Sequence, residues 1–216
     1  MSGLPPLGTA LALVGLFATL APGAESLRPH LLSLKERELG RLTGRLFVEP
    51  ARPDEAVKPL GGVTVLALPG APPLWTGLDR LRQEYRSSAA NYTTVLARFE
   101  RLIQDYRREV EREGGEQLVR TAVADPDGRF ELDLPGGSWV LVVSHSTVSP
   151  TKQPPPKPKP PPAARLNVPP LLPAPPPPTK VKEVSLWAYR VEVPAGRDVL
   201  VELHDRNRWL THLVKE

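Results

Sequence analysis

Apolar and polar positions alternate most cleanly where Phe130, Leu132 and Leu134 are set between Arg129, Glu131 and Asp133. That period of two is the mark of a strand with one face buried. Leu42–Val48, Val63–Leu68, Leu118–Ala124, Ser138–Ser144, Val184–Val193 and Asp198–His204 also read as strands, which makes seven in all. Turn residues punctuate them at Gly61-Gly62, Pro69-Gly70, Asp125-Pro126-Asp127-Gly128, Pro135-Gly136-Gly137 and Pro194-Ala195-Gly196-Arg197. The short turns on either side of Phe130–Leu134 predict a three-strand antiparallel meander, and the last two strands predict a terminal hairpin. Seven such strands suit two packed sheets, with Val65, Phe130, Leu132, Leu134, Trp139, Trp187 and Val201 in the core between them. Val63–Leu68 is apolar on both faces, so something should cover its outer side.

The period then changes. Leu78, Leu81, Tyr85, Ser88, Tyr92, Val95, Phe99, Leu102 and Tyr106 recur at spacings of three and four, which predicts an amphipathic helical insertion over residues 76–114. Thr76 can cap its start and Gly114-Gly115 can end it. Three arrangements fit the stripe: one helix laid on its own domain, a helix broken near Ser87–Asn91 into a hairpin, or pairing with a second copy. An unbroken helix would overhang a small sandwich, leaving Phe99, Leu102 and Tyr106 as candidate interaction residues. Upstream, residues 25–41 form a leader in which Leu27–Gly40 can make a short helix closed by Gly40.

Composition changes the picture at two places. Of the chain's 216 residues, 28 are proline, and 15 of these fall between Pro150 and Thr179. Within this basic insertion, residues 150–180, Pro154–Pro162 is expected to run as polyproline II and, with Pro175–Pro178, to make a stiff excursion, with Lys152, Lys157 and Lys159 as candidate contacts to a polyanion. The formal charge of +4 arises here, because Pro150–Lys182 holds six basic residues and no acidic one. A basic linker is not the basic folded face that nucleic-acid binding needs, so that class is set aside. Residues 1–24 hold no charged side chain and include the apolar run Ala10–Ala21, the layout of an export signal cleaved near Ala24. The run is short for a bilayer crossing, although retention as an anchor is the alternative. The expected location is periplasmic, extracellular or at the cell surface. The chain has no Cys, which removes disulfides, thiol nucleophiles and thiolate metal sites.

Four segments together resemble a carboxypeptidase regulatory-like domain: TGRLFV at Thr43–Val48, LGGVTVLAL at Leu60–Leu68, TAVADPDGRFELDLPGGSWVLVVSH at Thr121–His145 and VEVPAGRDVLVEL at Val191–Leu203. Thr121, Asp125, Asp127, Gly128, Phe130, Leu134, Pro135, Gly136 and Gly137 stand at the matching places, while Trp139 replaces a usual Tyr. The resemblance implies a seven-stranded prealbumin-like antiparallel β-sandwich over residues 42–216, close in shape to the Cna-B repeats of bacterial surface proteins. The long inserted helix and the proline-rich loop fall outside it.

Chemical motifs are sparse. Asp125 and Asp127 could offer weak Ca²⁺ binding but lack the ligand series of a calcium loop. His30, His145, His204 and His212 show no i,i+4 pair. Neither a Gly-x-Ser-x-Gly elbow nor the C-terminal ending of transthyretin-like hydrolases is present, nor are the paired Tyr and His ligands of intradiol dioxygenases. Asn91-Tyr92-Thr93 fits a glycosylation acceptor by letter only. The sequence therefore assigns no catalytic, cofactor or metal residue, and no cofactor is expected. It points to an exported, non-enzymatic structural or interaction domain of a bacterial envelope, with an envelope protein or anionic envelope polymer as partner. Its rivals are an oligomeric scaffold assembled through the stripe and a cryptic transthyretin-like hydrolase or metal enzyme.

Overall fold

The computed structural model describes residues 27–50, 52, 54–87, 92–150 and 180–215. In chain order these form α1 (Leu27–Lys35), β1 (Leu39–Val48), β2 (Lys58–Pro59), β3 (Thr64–Pro69), α2 (Pro72–Ser87), α3 (Tyr92–Arg112), β4 (Arg120–Val123), β5 (Arg129–Pro135), β6 (Gly137–Pro150), β7 (Lys180–Val193), β8 (Asp198–Leu203) and β9 (Leu210–Lys215). The fold is mainly β, with two sheets and three α-helices, and the described residues hold nine strands, not seven. The two additions are β2, with only two residues, and β9. The predicted export signal and Lys152, Lys157 and Lys159 lie outside the described residues.

In the first sheet β1 is central. It pairs antiparallel with β5 and, past the end of β5, with β2. On its other edge it pairs with β8 in parallel. The second sheet runs β4-β3-β6-β7-β9, antiparallel throughout. The predicted meander is therefore absent: β4 and β6 belong to the second sheet and β5 to the first. The terminal hairpin is absent too, because β7 and β8 lie in different sheets. Each tight turn carries the chain from one sheet to the other. At Asp125–Gly128, the Arg129 amide donates to Asp125 Oδ1 at 2.8 Å and the Gly128 amide to the Asp125 carbonyl at 2.8 Å, with Gly128 at φ +75°. Only glycine adopts that conformation cheaply.

The core between the sheets follows from register. Leu42 opposes Leu132 and Val199, and Gly44 opposes Phe130 and Val201. In the second sheet Val65 is level with Val143 and Trp187, and Ala67 with Leu141. All seven predicted core residues, Val65, Phe130, Leu132, Leu134, Trp139, Trp187 and Val201, are buried. The two buried indoles are satisfied, with Trp139 Nε1 donating to the Pro135 carbonyl at 2.8 Å and Trp187 Nε1 to the His204 carbonyl at 2.9 Å.

The helical insertion forms two helices. Gly77 meets Leu102, and Arg98 pairs with Glu84, so residue numbers rise along one helix as they fall along the other. The two make an antiparallel hairpin. It lies on the second sheet's other face, where Tyr106 Oη donates to the Pro69 carbonyl at 2.7 Å and Tyr85 Oη to the Thr211 carbonyl at 3.2 Å. The cover expected over the outer side of β3 is thus present at Leu68, which is fully buried, and in part at Leu66, which is half-buried, while Thr64 at the strand's start is exposed. α2 begins at Pro72, four residues before the expected Thr76 cap, since proline suits a first turn whose amide would be unpaired anyway. Likewise α1 stops at Lys35, and Gly40 lies within β1, close against the Pro194 carbonyl, instead of closing the helix.

Candidate functional site

The stripe residues proposed for a partner are used internally. Phe99 and Tyr106 are buried, and half-buried Leu102 packs on Gly77 of α2. This removes the free strip on which assembly through the stripe rested. The buried positions of α3, Val95, Phe99, Ile103, Tyr106 and Val110, recur at spacings of four, four, three and four. Their mean lies nearer the 3.6 of a straight helix on a sheet than the 3.5 of a coiled coil.

What the helix hairpin leaves open is a groove of about 330 Å³ between α2 and the end of the second sheet. Trp75, Leu78, Asp79 and Arg82 line it from one face of α2, as their spacing of three and four requires. The opposite wall comes from residues 188–190 of β7 and from 206–209, the segment joining β8 to β9. Trp209 is held there by Phe99, ring centroids 4.9 Å apart, and by its amide donating to the Leu186 carbonyl at 2.9 Å.

The polar groups of this groove are unequally engaged. The Arg190 guanidinium stacks over the Trp75 ring at 5.2 Å and reaches Glu192 at 3.4 Å. Arg208 binds Glu183 at 3.2 Å and covers the Trp187 ring at 5.6 Å. Arg206 binds Glu49 Oε2 at 2.5 Å. Among the described residues Asp79 and Arg82 form no ion pair. Trp75 Nε1 is buried and has no hydrogen-bond acceptor. An orphaned buried donor is costly, and here it belongs to a residue lining an open groove. The site thus offers an indole donor, a carboxylate acceptor and guanidinium donors beside aromatic carbon.

A second gathering lies where the end of β1 meets the turn after β8. Donor atoms of Glu49, His204 and Asp205 lie within 4.8 Å of one another, the only such group of three or more among the described residues. His145 lies within β6, not at its end, and is not part of this group; its imidazole is held below its ordinary pKa by burial and by the charges of Lys58 and Arg208, against the opposing Glu183. Asp125, considered for Ca²⁺, spends one carboxylate oxygen on the Arg129 amide. Sequence reading missed the groove, because its walls come from segments more than a hundred residues apart. The only signal was the excess of tryptophan outside the expected core, at Trp75 and Trp209.

No family model matches this chain, and no curated protein matches it. Among solved structures it is similar to a Pseudomonas aeruginosa protein described as a candidate carbohydrate-binding protein, with 14% identity over 84% of this chain and 98% of that one, at a TM-score of 0.45. It is also similar to part of the pilus backbone RrgB of Streptococcus pneumoniae, with 15% identity over 53% of this chain and 31% of that one, at a TM-score of 0.22.

Proposed function

We propose that this chain is a non-enzymatic interaction domain that holds a saccharide of the bacterial envelope in the groove between α2 and the β7–β9 end of the second sheet. The observation that carries the reading is the buried, acceptorless Trp75 Nε1 in a groove shared with Asp79, Arg82 and Trp209. Sugars present hydroxyls that accept and donate, together with apolar C–H faces that pack on indole, and this lining answers both. Its size is at the small end of ligand pockets, about 300–1,000 Å³, suiting one or two sugar rings of a longer polymer. Because Arg190, Arg206 and Arg208 already face carboxylates, the groove favours hydroxyl recognition over bulk anion attraction. The basic proline-rich insertion supplies attraction to an anionic polymer separately.

The same reading takes the domain as a prealbumin-like relative of carboxypeptidase regulatory-like domains, enlarged by the helix hairpin. It takes the chain as exported, with residues 1–24 removed. Among the described residues no helix is long and apolar enough to cross a membrane. N-terminal sequencing of secreted protein should begin at or beside Glu25.

Binding is tested by titrating the protein with oligosaccharides cut from envelope polymers while following tryptophan fluorescence. A saturable change is expected, with Trp75→Phe, which keeps the ring bulk but removes the donor, weakening it about tenfold, the worth of one good hydrogen bond. Equal affinity in wild type and Trp75→Phe, or no saturable change with any oligosaccharide, would defeat the groove reading.

A further inference from the structure

We propose that Glu49, His204 and Asp205 form a site for one divalent transition-metal ion, with Zn²⁺ the ion their chemistry suits best. The donor set is one imidazole nitrogen and two carboxylates, each of which Zn²⁺ takes at about 2.0–2.2 Å. Tetrahedral ligands at that radius stand about 3.3 Å apart. Here the donor atoms lie within 4.8 Å of one another, and His204 Nδ1 is 3.0 Å from Glu49 Oε1. That close pair is not a well-directed hydrogen bond: His204 Nδ1 is buried and left without a hydrogen-bond partner. A buried ring nitrogen beside a carboxylate, off the axis of a shared proton, is the geometry of two ligands meeting at a common cation.

The ligands are held in advance. His204 stacks on Phe47, centroids 5.5 Å apart and rings 15° from parallel. Its backbone is fixed at both ends, with the amide donating to Asn207 Oδ1 at 2.8 Å and the carbonyl accepting from Trp187 Nε1 at 2.9 Å. Asp205 is tied to β1 because its Oδ1 accepts the Glu49 amide at 2.9 Å. Arg206 occupies Glu49 Oε2, which leaves Oε1 for the ion and orients the carboxylate as an outer-shell partner does. Arg206 also places a positive charge nearby, so the site is one of modest affinity. The ion would fasten the end of β1 to the 204–209 segment that forms one wall of the groove. The site goes beyond the saccharide reading and stands without it, since metal uptake is measured with no sugar present.

The test uses the full chain, stripped with chelator, titrated with Zn²⁺ by calorimetry and followed by thermal melting. Uptake of one ion per chain and a raised Tm are expected. Glu49→Gln and His204→Gln should each weaken uptake at least about tenfold, while His145→Gln leaves it unchanged. Circular dichroism of every variant checks folding, and Glu49→Gln, which keeps the side chain's shape, decides the matter if His204→Gln misfolds. Wild-type protein that takes up no Zn²⁺, or a folded Glu49→Gln variant that binds as wild type does, overturns the proposal.

Discussion

Tyr106 shows how much a single side chain settles. Its ring is buried beneath α3 and its hydroxyl donates to the Pro69 carbonyl at the end of β3. Burial pushes its pKa well above the ordinary tyrosine range of about 10, partly opposed by a backbone hydrogen bond from Ala71. A folded-state pKa above the unfolded one means the neutral form stabilises the fold. That contribution is complete below about pH 10 and is lost as pH rises through the unfolded value towards the folded one. Tyr106→Phe should therefore cost about 1 kcal/mol at neutral pH, for the lost hydrogen bond, and flatten the fall in stability as pH rises above about 10. Urea titrations across that range check it, and an unchanged slope would show that other groups drive the alkaline loss. The alternation at Phe130–Leu134 made the inward register legible residue by residue. The partner of Phe130 was not legible: its ring lies against Gly44, where any Cβ would collide with it. Local pattern tells which way a side chain points, whereas the residue across the gap depends on strands ninety positions apart.

At the scale of elements, strand identity was readable and strand pairing was not. Pro135-Gly136-Gly137 and Asp125–Gly128 were rightly read as turns, yet a turn's composition does not tell whether the chain returns beside itself or crosses to the facing sheet. Both ends of β5 take the second route, which sets its buried Phe130, Leu132 and Leu134 in the first sheet while β4 and β6 lie in the second. Similarly, the stripe from Leu78 to Tyr106 was legible as amphipathic, but spacings of three and four satisfy a sheet-packed helix and a coiled coil alike over so few turns. Burial decides it, selecting Ile103 over Leu102 in α3. Two substitutions follow from the hairpin. Leu81, 4% exposed, faces the core from α2, so Leu81→Glu should destabilise by about 2 kcal/mol or more through a buried charge. Leu102→Glu, at the half-buried contact with Gly77, should cost less. Light scattering should give one unchanged mass for wild type and both variants. A mass that falls in Leu102→Glu alone would restore the partner role of this strip.

For the whole molecule, the most consequential feature is a pair of strands longer than the sandwich needs. β6 and β7 pair without a break from Gly137 with Val193 to Pro150 with Lys180. β3, however, accompanies β6 only from Trp139 to Val143. Beyond that point the ladder continues with β9 alone, along Val181–Leu186 of β7, as a three-stranded extension. The polar sequence of Ser144–Pro150 and Lys180–Glu183 concealed this, because strands with no core to face lose the apolar alternation that reveals them. The extension explains how 29 residues between Pro150 and Lys180 are accommodated. Their two ends are already neighbours across an antiparallel ladder, with Pro150 paired to Lys180. Closure entropy rises only slowly with loop length, each doubling costing about 0.6 kcal/mol, so a shorter connection should leave the fold at least as stable. Replacing residues 151–179 with about eight Gly and Ser residues should preserve a single cooperative melting transition at the same temperature or slightly above. It should also abolish retention on a polyanionic column through Lys152, Lys157 and Lys159, while the oligosaccharide affinity of the Trp75 groove, formed by other segments, stays unchanged. A broadened or lowered transition would mean that the insertion packs on the sandwich. Loss of groove binding would mean that its proline-rich chain completes the saccharide site.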